Sequence, residues 1–319
     1  MSLLGLRLFG EREIKVTVYL IESKRWDSQK ISFENSYLTL ILEAALGDSM
    51  LSLYHFPQST CSIKVRLLLE EKKLEWQSNQ LISSEHHHLS DWYLKLNPNG
   101  VVPTLIDDDL PIFESTSILE YIEDKYSETN FRLANLFLRS QMRAFLVFVD
   151  VWPTPAVRTP SFQFGGLLKK FTAMSDEKFS SLVKKRPLKA EFYNSFDKNR
   201  GFSDSQIFSS FDVIVRTVKR MDEMLQKFGG PWLLGKDYSL ADMAVLPLID
   251  RMQDLGLDGL WLDTYPSITD WLSRAQQRPA TIKSYVDGSR LSEQFPDLVG
   301  GAGALSDFTD AYFKVKLES

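Results

Sequence analysis

The fold is decided by residues 50–66, which have the sequence Met-Leu-Ser-Leu-Tyr-His-Phe-Pro-Gln-Ser-Thr-Cys-Ser-Ile-Lys-Val-Arg. The apolar run at the beginning of this stretch predicts a short strand, which Pro57 ends. The serine and threonine residues between positions 59 and 62 are types that favour the start of a helix. An amphipathic pattern follows from Ile63, so the stretch predicts a strand, a tight turn and a helix.

The start of this predicted helix carries the only cysteine of the chain, Cys61. The first backbone N–H groups of a helix have no partner within it, and they give this end a partial positive charge. A thiolate is stabilised at such a position, whether it belongs to Cys61 or to a bound thiol. The alternative interpretation of Cys61 is a small buried residue with no chemical role.

The composition is that of an ordinary globular protein of 319 residues, with 44% hydrophobic and 25% charged residues. A net charge of −5 argues against broad nucleic-acid binding, which needs lysine and arginine to neutralise phosphates. No apolar run approaches the roughly 18 residues that cross a bilayer, and one cysteine excludes an internal disulfide. We therefore expect neither a nucleic-acid partner nor a membrane association.

Residues 1–49 show no cluster of ligand-type side chains. The apolar run at 5–10 is short and is followed at once by acidic residues, which fits neither a secretory signal nor a mitochondrial presequence. We predict that this extension lies outside the functional domain and is dispensable. The alternative is an accessory segment that packs on the body of the protein.

The pattern from residue 50 to residue 126 predicts the element order β-α-β-α-β-β-α. A second strand is predicted within 74–82, which completes a βαβ unit with a right-handed crossover. A tight Asn-Pro-Asn-Gly loop at 97–100 precedes a strand and a hairpin. The pair Glu114-Ser115 then opens the third helix.

The order and spacing of these pieces resemble the glutathione transferase family. The matching pieces are Ser59-Thr60-Cys61-Ser62 at the first helix, Asn-Gly-Val-Val-Pro at 99–103, and Glu114-Ser115 at the third helix. The resemblance covers about residues 50–290. It implies an α/β thioredoxin-like N-terminal domain followed by an all-α C-terminal helical domain. It also implies glutathione as the co-substrate with no metal, a homodimer, and a cytoplasmic location.

The predicted domain limits are 50–130 for the thioredoxin-like, glutathione-binding domain and 131–290 for the helical substrate domain. In the second domain, Ser239 and Asp242 form a capping-box pattern ahead of a predicted buried helix, as in glutathione transferases. Residues 291–319 predict a loosely attached tail.

The stretch from Met174 to Phe179 and the long connection to Arg200-Gly201-Phe202 resemble one branch of the family. This branch contains the bacterial β-aryl etherases and the tetrachlorohydroquinone reductive dehalogenases. The resemblance implies that glutathione thiolate attacks an electrophilic aromatic substrate, by ether cleavage or by dehalogenation. The alternatives are a maleylacetoacetate-type isomerase and a non-catalytic, glutathione-transferase-like binding protein.

Three residues compete for the activation of the thiol. Ser59 matches the serine of the zeta-class isomerases, Cys61 the cysteine of the dehalogenases, and Ser62 the serine of the etherases. A helix N-terminus and one hydroxyl or thiol donor together stabilise a thiolate. Simple capping is the alternative role for both serines.

The other site residues follow from the resemblance. Val102-Pro103 resembles the family's cis-proline element, where the residue before proline pairs its backbone with the cysteinyl part of glutathione. Glu114 and Ser115 match the residues that hold the γ-glutamyl end. Five aromatic residues are candidates for lining the site of the second substrate: Phe145, Phe148, Trp152, Phe162 and Phe164. The alternative for each of them is a place in the hydrophobic core.

The three adjacent histidines at 86–88 predict a solvated loop and not a metal site. Consecutive side chains diverge, and no cysteine or carboxylate cluster completes a set of ligands.

Overall fold

A computed structural model describes residues 50–300 and 303–318, with only the backbone of Pro187. The prediction for residues 1–49 therefore lies outside the described residues. Residues 50–126 form the sheet half, with strands β1 Leu51–His55, β2 Trp76–Gln80, β3 Thr104–Asp107 and β4 Leu110–Phe113 and helices α1 Thr60–Glu71, α2 Asp91–Leu96 and α3 Ser115–Lys125. This order is the predicted β-α-β-α-β-β-α.

The four strands form one mixed sheet in the order β2-β1-β3-β4. Strand β1 pairs in parallel with β2 and antiparallel with β3, and β4 returns antiparallel beside β3. The hairpin turn places Asp108 and Asp109 at φ 48° and 62°, which is the backbone of a two-residue primed turn. Helix α1 connects the parallel strands, and its apolar residues are buried against the sheet and the second half of the chain. The sheet half is a thioredoxin-like domain.

The helical half begins at residue 136. It consists of α4 Leu136–Val151, α5 Pro153–Gln163, α6 Lys169–Thr172, α7 Asp176–Lys184, α8 Ala190–Asn194, α9 Asp204–Phe228, α10 Leu240–Asp254, α11 Pro266–Gln276, α12 Pro279–Ser284, α13 Leu291–Gln294 and α14 Ser306–Glu318. No helix among the described residues is long and apolar enough to cross a membrane. The predicted domain limits at 130 and 290 stay predictions.

Helix α10 forms the centre of the helical half, as the sequence predicted for the helix after Ser239. Every one of its residues except Gln253 is buried. The Asp242 carboxylate accepts hydrogen bonds from the Ser239 N–H and Oγ–H, both at 3.1 Å. It also accepts from the Leu233 N–H at 3.0 Å and the Trp271 Nε1–H at 2.9 Å. This carboxylate therefore joins α10 to the preceding loop and to α11.

The described part of the predicted tail packs on the helical half. Leu291 and Val299 are buried, and so is Tyr312. The Tyr312 hydroxyl donates to Asp212 Oδ1 on α9 at 2.8 Å. These contacts give residues 291–300 and 303–318 a larger structural role than the Gly-rich sequence indicated.

Candidate active site

A cavity of about 170 Å³ lies between the two halves, beside the start of α1. The sheet half lines it with residues from the turn before α1, from α1, from the loop after β2 and from the approach to β3. The helical half lines it with residues from α5, α6, α8 and α10, from the segment before α6 and from the segment between α7 and α8. The cavity thus brings the predicted thiol position and the predicted cis-proline element to one place.

The start of α1 has the predicted capping geometry. Ser59 is the N-cap, and its Oγ accepts a hydrogen bond from the Ser62 N–H at 3.2 Å. Because the oxygen accepts this bond, the Ser59 hydroxyl proton is free to be donated elsewhere. Ser59 and Cys61 both line the cavity, and both are partly exposed. Ser62 is fully buried, does not line the cavity, and its Oγ has no hydrogen-bond partner among the described residues.

The Val102–Pro103 peptide bond is cis, and Val102 lines the cavity. The preceding Val101 carbonyl accepts the Tyr93 hydroxyl at 2.7 Å and the Asn97 amide at 3.0 Å. Gly100 has φ +58°, and a Cβ at this position would lie 2.9 Å from Leu89 Cδ2. The backbone that leads to Val102 is therefore held by buried polar groups and by a turn that needs glycine.

Glu114 and Ser115 stand at the start of α3, as predicted, but they are not among the residues that line the cavity. Glu114 has φ 67°, a conformation that costs a non-glycine residue about 1–3 kcal/mol and is most frequent at functional sites. Its carboxylate is exposed and accepts the Asn99 amide at 3.1 Å. Ser115 is buried beside it.

Two buried arginines hold the turn before α1 in place through hydrogen bonds to its backbone carbonyls. Arg66 is fully buried and donates to the carbonyls of Phe56 at 3.3 Å and Pro57 at 2.9 Å. The same guanidinium donates to the Ser284 carbonyl at 2.7 Å and to Ser289 Oγ at 3.1 Å in the helical half. Arg66 therefore connects the turn to the end of α12 and to the loop after it.

Arg251 on α10 makes the second tie. Its guanidinium donates to the Gln58 carbonyl at 2.7 Å and to the Ser289 carbonyl at 3.2 Å. Burial lowers the pKa of both arginines, that of Arg66 to about 10. The carbonyls of the turn thus accept hydrogen bonds from two buried guanidinium groups, that of Arg66 on α1 and that of Arg251 on α10. The position of the turn therefore depends on the helical half.

The helical side of the cavity is positively charged, although the chain as a whole is acidic. Five basic residues of the helical half line it. Arg251 holds the turn, and we call the other four the cationic wall: Arg158, Lys170, Arg186 and Lys189. Burial, together with the neighbouring Arg186, lowers the pKa of Lys170 to about 7. Burial, together with Arg158, lowers the pKa of Lys189 to about 8, and Cys61 and Glu114 lie within electrostatic range of this ammonium.

His88 shows that the prediction of a solvated histidine loop is wrong for this residue. It is buried, and its Nε2 lies 2.7 Å from a guanidinium nitrogen of Arg186. Because arginine only donates, Nε2 accepts, and this histidine is neutral. Burial and the nearby Arg186 lower the pKa of His88 to about 2. His87 instead pairs with Glu85 at 2.9 Å on the surface.

One of the five predicted aromatic wall residues, Phe162, lines the cavity, together with Tyr193. Phe145 belongs to the core, and Trp152 is half exposed elsewhere. Sequence reasoning missed Tyr193 and the cationic wall, since the segment from 165 to 200 has little helical periodicity. A signal was nevertheless present: Lys170, Arg186 and Lys189 lie in a stretch that also contains several aromatic residues.

Comparisons with known proteins agree with this architecture. Residues 53–130 match the family model of the glutathione S-transferase N-terminal domain, and residues 187–289 match that of the C-terminal domain. Protein LigF of Sphingobium sp. (strain NBRC 103272 / SYK-6) is 32% identical over 251 residues, which are 76% of this chain and 95% of LigF. Glutathione S-transferase TCHQD of Arabidopsis thaliana is 22% identical over 251 residues, which are 75% of this chain and 92% of that protein.

A solved structure has the same fold. The crystal structure of the beta-etherase LigF from Sphingobium sp. strain SYK-6 superposes with a TM-score of 0.67 at 30% identity, and it covers 74% of this chain and 98% of that one.

Proposed function

We propose that this protein, which belongs to the glutathione S-transferase family, uses the thiolate of glutathione to displace a phenolate or a halide from an electrophilic, aromatic substrate. The observation that carries the proposal is the cavity in which the start of α1, the backbone of Val102 and an aromatic side of the helical half meet. The beta-etherase structure of LigF, at 30% identity, supports the ether-cleaving form.

We assign the activation of the glutathione thiol to the start of α1. Backbone N–H groups and the helix dipole favour an anion at this position, and the free hydroxyl proton of Ser59 is a donor for it. Cys61 lies beside Ser59 on the cavity. Ser62 is a weaker candidate, since its fully buried Oγ would have to move to reach a ligand. In the reaction, the sulfur forms a bond to carbon while the carbon–oxygen or carbon–halogen bond breaks and its electrons leave with the leaving group.

The rest of glutathione is assigned to the sheet half. The backbone of Val102 is proposed to pair with the cysteinyl part, like an added strand. The buried Ser115 and the strained Glu114 are proposed to hold the γ-glutamyl end, where an ammonium meets the carboxylate and a carboxylate meets N–H groups. Backbone conformations of this kind cluster at active sites and ligand-binding sites, which supports the assignment of Glu114.

Cys61 has a second proposed role if the substrate is a halogenated phenol. Its thiolate would attack the sulfur of an S-aryl glutathione, so that an S–S bond forms, the aryl–sulfur bond breaks and the aryl carbon takes a proton. A second glutathione would then reduce the mixed disulfide and leave as glutathione disulfide. Simple displacement of a phenolate or halide needs no protein thiolate.

The thiol assignment is tested by the pKa of bound glutathione, measured through the ultraviolet absorbance of the thiolate. Ser59→Ala is expected to raise this pKa by about 1–2 units, because a hydrogen bond to a charged group contributes about 1.5–3 kcal/mol. Cys61→Ser and Ser62→Ala are expected to change it by less. If the pKa rises only in Cys61→Ser, then Cys61 itself activates the thiol.

The reaction type is tested with the same three variants on two substrates, a β-aryl ether and a halogenated hydroquinone. Cys61→Ser is expected to keep glutathione binding and most ether-cleaving or conjugating activity, and to lose any reductive dehalogenation. Binding of glutathione without turnover of any electrophile would support a non-catalytic protein instead.

A homodimer in a reducing compartment such as the cytoplasm belongs to the same proposal. Helix α4 exposes apolar side chains at a helical spacing: Phe137 is 58% exposed, Val147 63% and Val151 56%. This stripe supports a second copy as its partner. Val147→Glu is expected to convert a dimer to a monomer in light scattering, whereas Lys219→Glu on α9 serves as the exposed control on another helix.

A further inference from the structure

No carboxylate among residues 50–300 and 303–318 forms an ion pair with the cationic wall, and Glu114 acts on Lys189 only from a longer distance. No described carboxylate lies within 4.0 Å of Arg158, Lys170, Arg186 or Lys189. Charged groups that are withdrawn from water are normally paired, since an unpaired buried charge is costly. The repulsion between Lys170 and Arg186, and between Lys189 and both arginines, adds to that cost.

Arg186 is the most enclosed member of the wall, with 3% of its surface exposed. One of its terminal nitrogens donates to the neutral His88, and its Nε has no partner among the described residues. Lys170 is half-buried and reaches the hydroxyl of Ser83 at 3.3 Å. These contacts satisfy some hydrogen bonds but compensate no charge.

Aromatic rings contact the cations of the wall, and one of these rings, that of Tyr193, also lines the cavity. The guanidinium of Arg186 lies 4.6 Å from the ring centre of Tyr193, and that of Arg158 lies 5.0 Å from the ring centre of Phe192. The ammonium of Lys170 lies 5.2 Å from the ring centre of Phe171. Ring faces attract a cation and hold it in place, but they carry no formal charge. The wall is therefore positioned by the fold and left for an anion to neutralise.

We infer that Lys170, Arg186 and Lys189 form a carboxylate-binding subsite, contributed by the helical half, that holds an acid group of the aromatic electrophile. This inference rests on the proposed function. The glycyl carboxylate of glutathione is the competing occupant, and the test distinguishes the two. Arginine presents two parallel N–H groups to a carboxylate, and the lysines add point charges beside it.

The test is calorimetric binding of three product analogues to the full chain: S-benzylglutathione, S-(4-carboxybenzyl)glutathione and the glycyl ethyl ester of S-benzylglutathione. If the acid of the electrophile occupies the subsite, the carboxybenzyl compound binds at least about tenfold more tightly than the benzyl compound. If only the ester binds more weakly, by about tenfold or more, and this difference disappears in Lys170→Gln/Lys189→Gln, the wall holds glutathione itself and the inference of a subsite for the electrophile is wrong.

The double variant Lys170→Gln/Lys189→Gln is expected to abolish the preference for the carboxybenzyl compound. The matched control is Lys169→Gln/Lys185→Gln, which removes two exposed lysines from the same segment and is expected to keep the preference. Arg186→Gln is a third variant, to be used only at temperatures where it is folded.

The failure of the inference differs from that of the proposed function. Binding of all three compounds with equal affinity, or a preference that survives in Lys170→Gln/Lys189→Gln, would overturn the carboxylate subsite while the glutathione transferase assignment stands. A complete lack of S-benzylglutathione binding would overturn the proposed function, and the subsite with it. The rate of chloride release gives a second, kinetic readout. The subsite predicts faster release from 4-(chloromethyl)benzoate than from its methyl ester.

Discussion

Replacement of Asp242 by alanine is expected to lower the free energy of unfolding by about 3–5 kcal/mol, the cost of removing one member of a buried polar network. The carboxylate is fully buried, and its two oxygens accept four hydrogen bonds, from Ser239, Leu233 and Trp271. Alanine leaves two backbone N–H groups and an indole N–H without an acceptor. A simple N-cap, by contrast, contributes about 0.5–2 kcal/mol.

Chemical denaturation with urea measures this loss, and Asp242→Asn refines it. Asparagine keeps one oxygen for Leu233 and Trp271 but turns an NH₂ group toward the Ser239 N–H, so an intermediate loss is expected. Asp270→Ala on α11 is the control, because this carboxylate is exposed. Glutathione affinity of the folded fraction is expected to stay the same. If Asp242→Ala were as stable as the control, the role of this carboxylate in joining α10 to its neighbours would be wrong.

Replacement of Arg66 by methionine is expected to impair both stability and glutathione binding. Methionine fills similar space but leaves the carbonyls of Phe56, Pro57 and Ser284 without their donor. We expect a loss of about 2–4 kcal/mol in unfolding free energy from these unsatisfied acceptors. The turn that precedes Ser59 would also shift, and a small displacement at a reacting site lowers binding and rate, here by roughly tenfold or more.

Glutathione titration well below the melting temperature separates the two effects of Arg66→Met. Arg143→Met on α4 is the control, since Arg143 is exposed and has only a 3.4 Å contact with Glu120. Arg251→Met is a milder variant than Arg66→Met. It removes the hydrogen bond to the Gln58 carbonyl but keeps Arg66 and its bonds to the turn. A folded Arg66→Met protein with unchanged glutathione affinity would show that the guanidinium stabilises the core without positioning the turn.

The local part of the site could be predicted from sequence. A strand, a proline and hydroxyl residues before an amphipathic run are short-range signals, and they predicted a helix start within residues 59–62; the structure identifies Ser59 among them as the N-cap and places Cys61 on the cavity. The element order of the sheet half follows from the same kind of signal. The family resemblance was confirmed by the relatives and domain matches.

The long-range part could not be predicted, for physical reasons. Lys170 and Arg186 look like surface residues in a sequence, and only the packing of α6 and the segment after α7 brings them to the cavity beside His88. The Ser239–Asp242 pattern predicted one role of the carboxylate. Its bonds to Leu233 and Trp271 depend on tertiary contacts that no local pattern encodes.

The arginine ties behind the turn also limit how such proteins can recombine. Arg66 belongs to the sheet half, whereas Arg251, Ser284 and Ser289 belong to the helical half, and together they hold one stretch of backbone. A chimera that joins this sheet half to the helical half of a relative without matching partners would bury the Arg66 guanidinium with its bonds to Phe56 and Pro57 but without those to Ser284 and Ser289. The two halves are therefore interdependent at this point. A chimera of two relatives is expected to fold only if it keeps these four residues together.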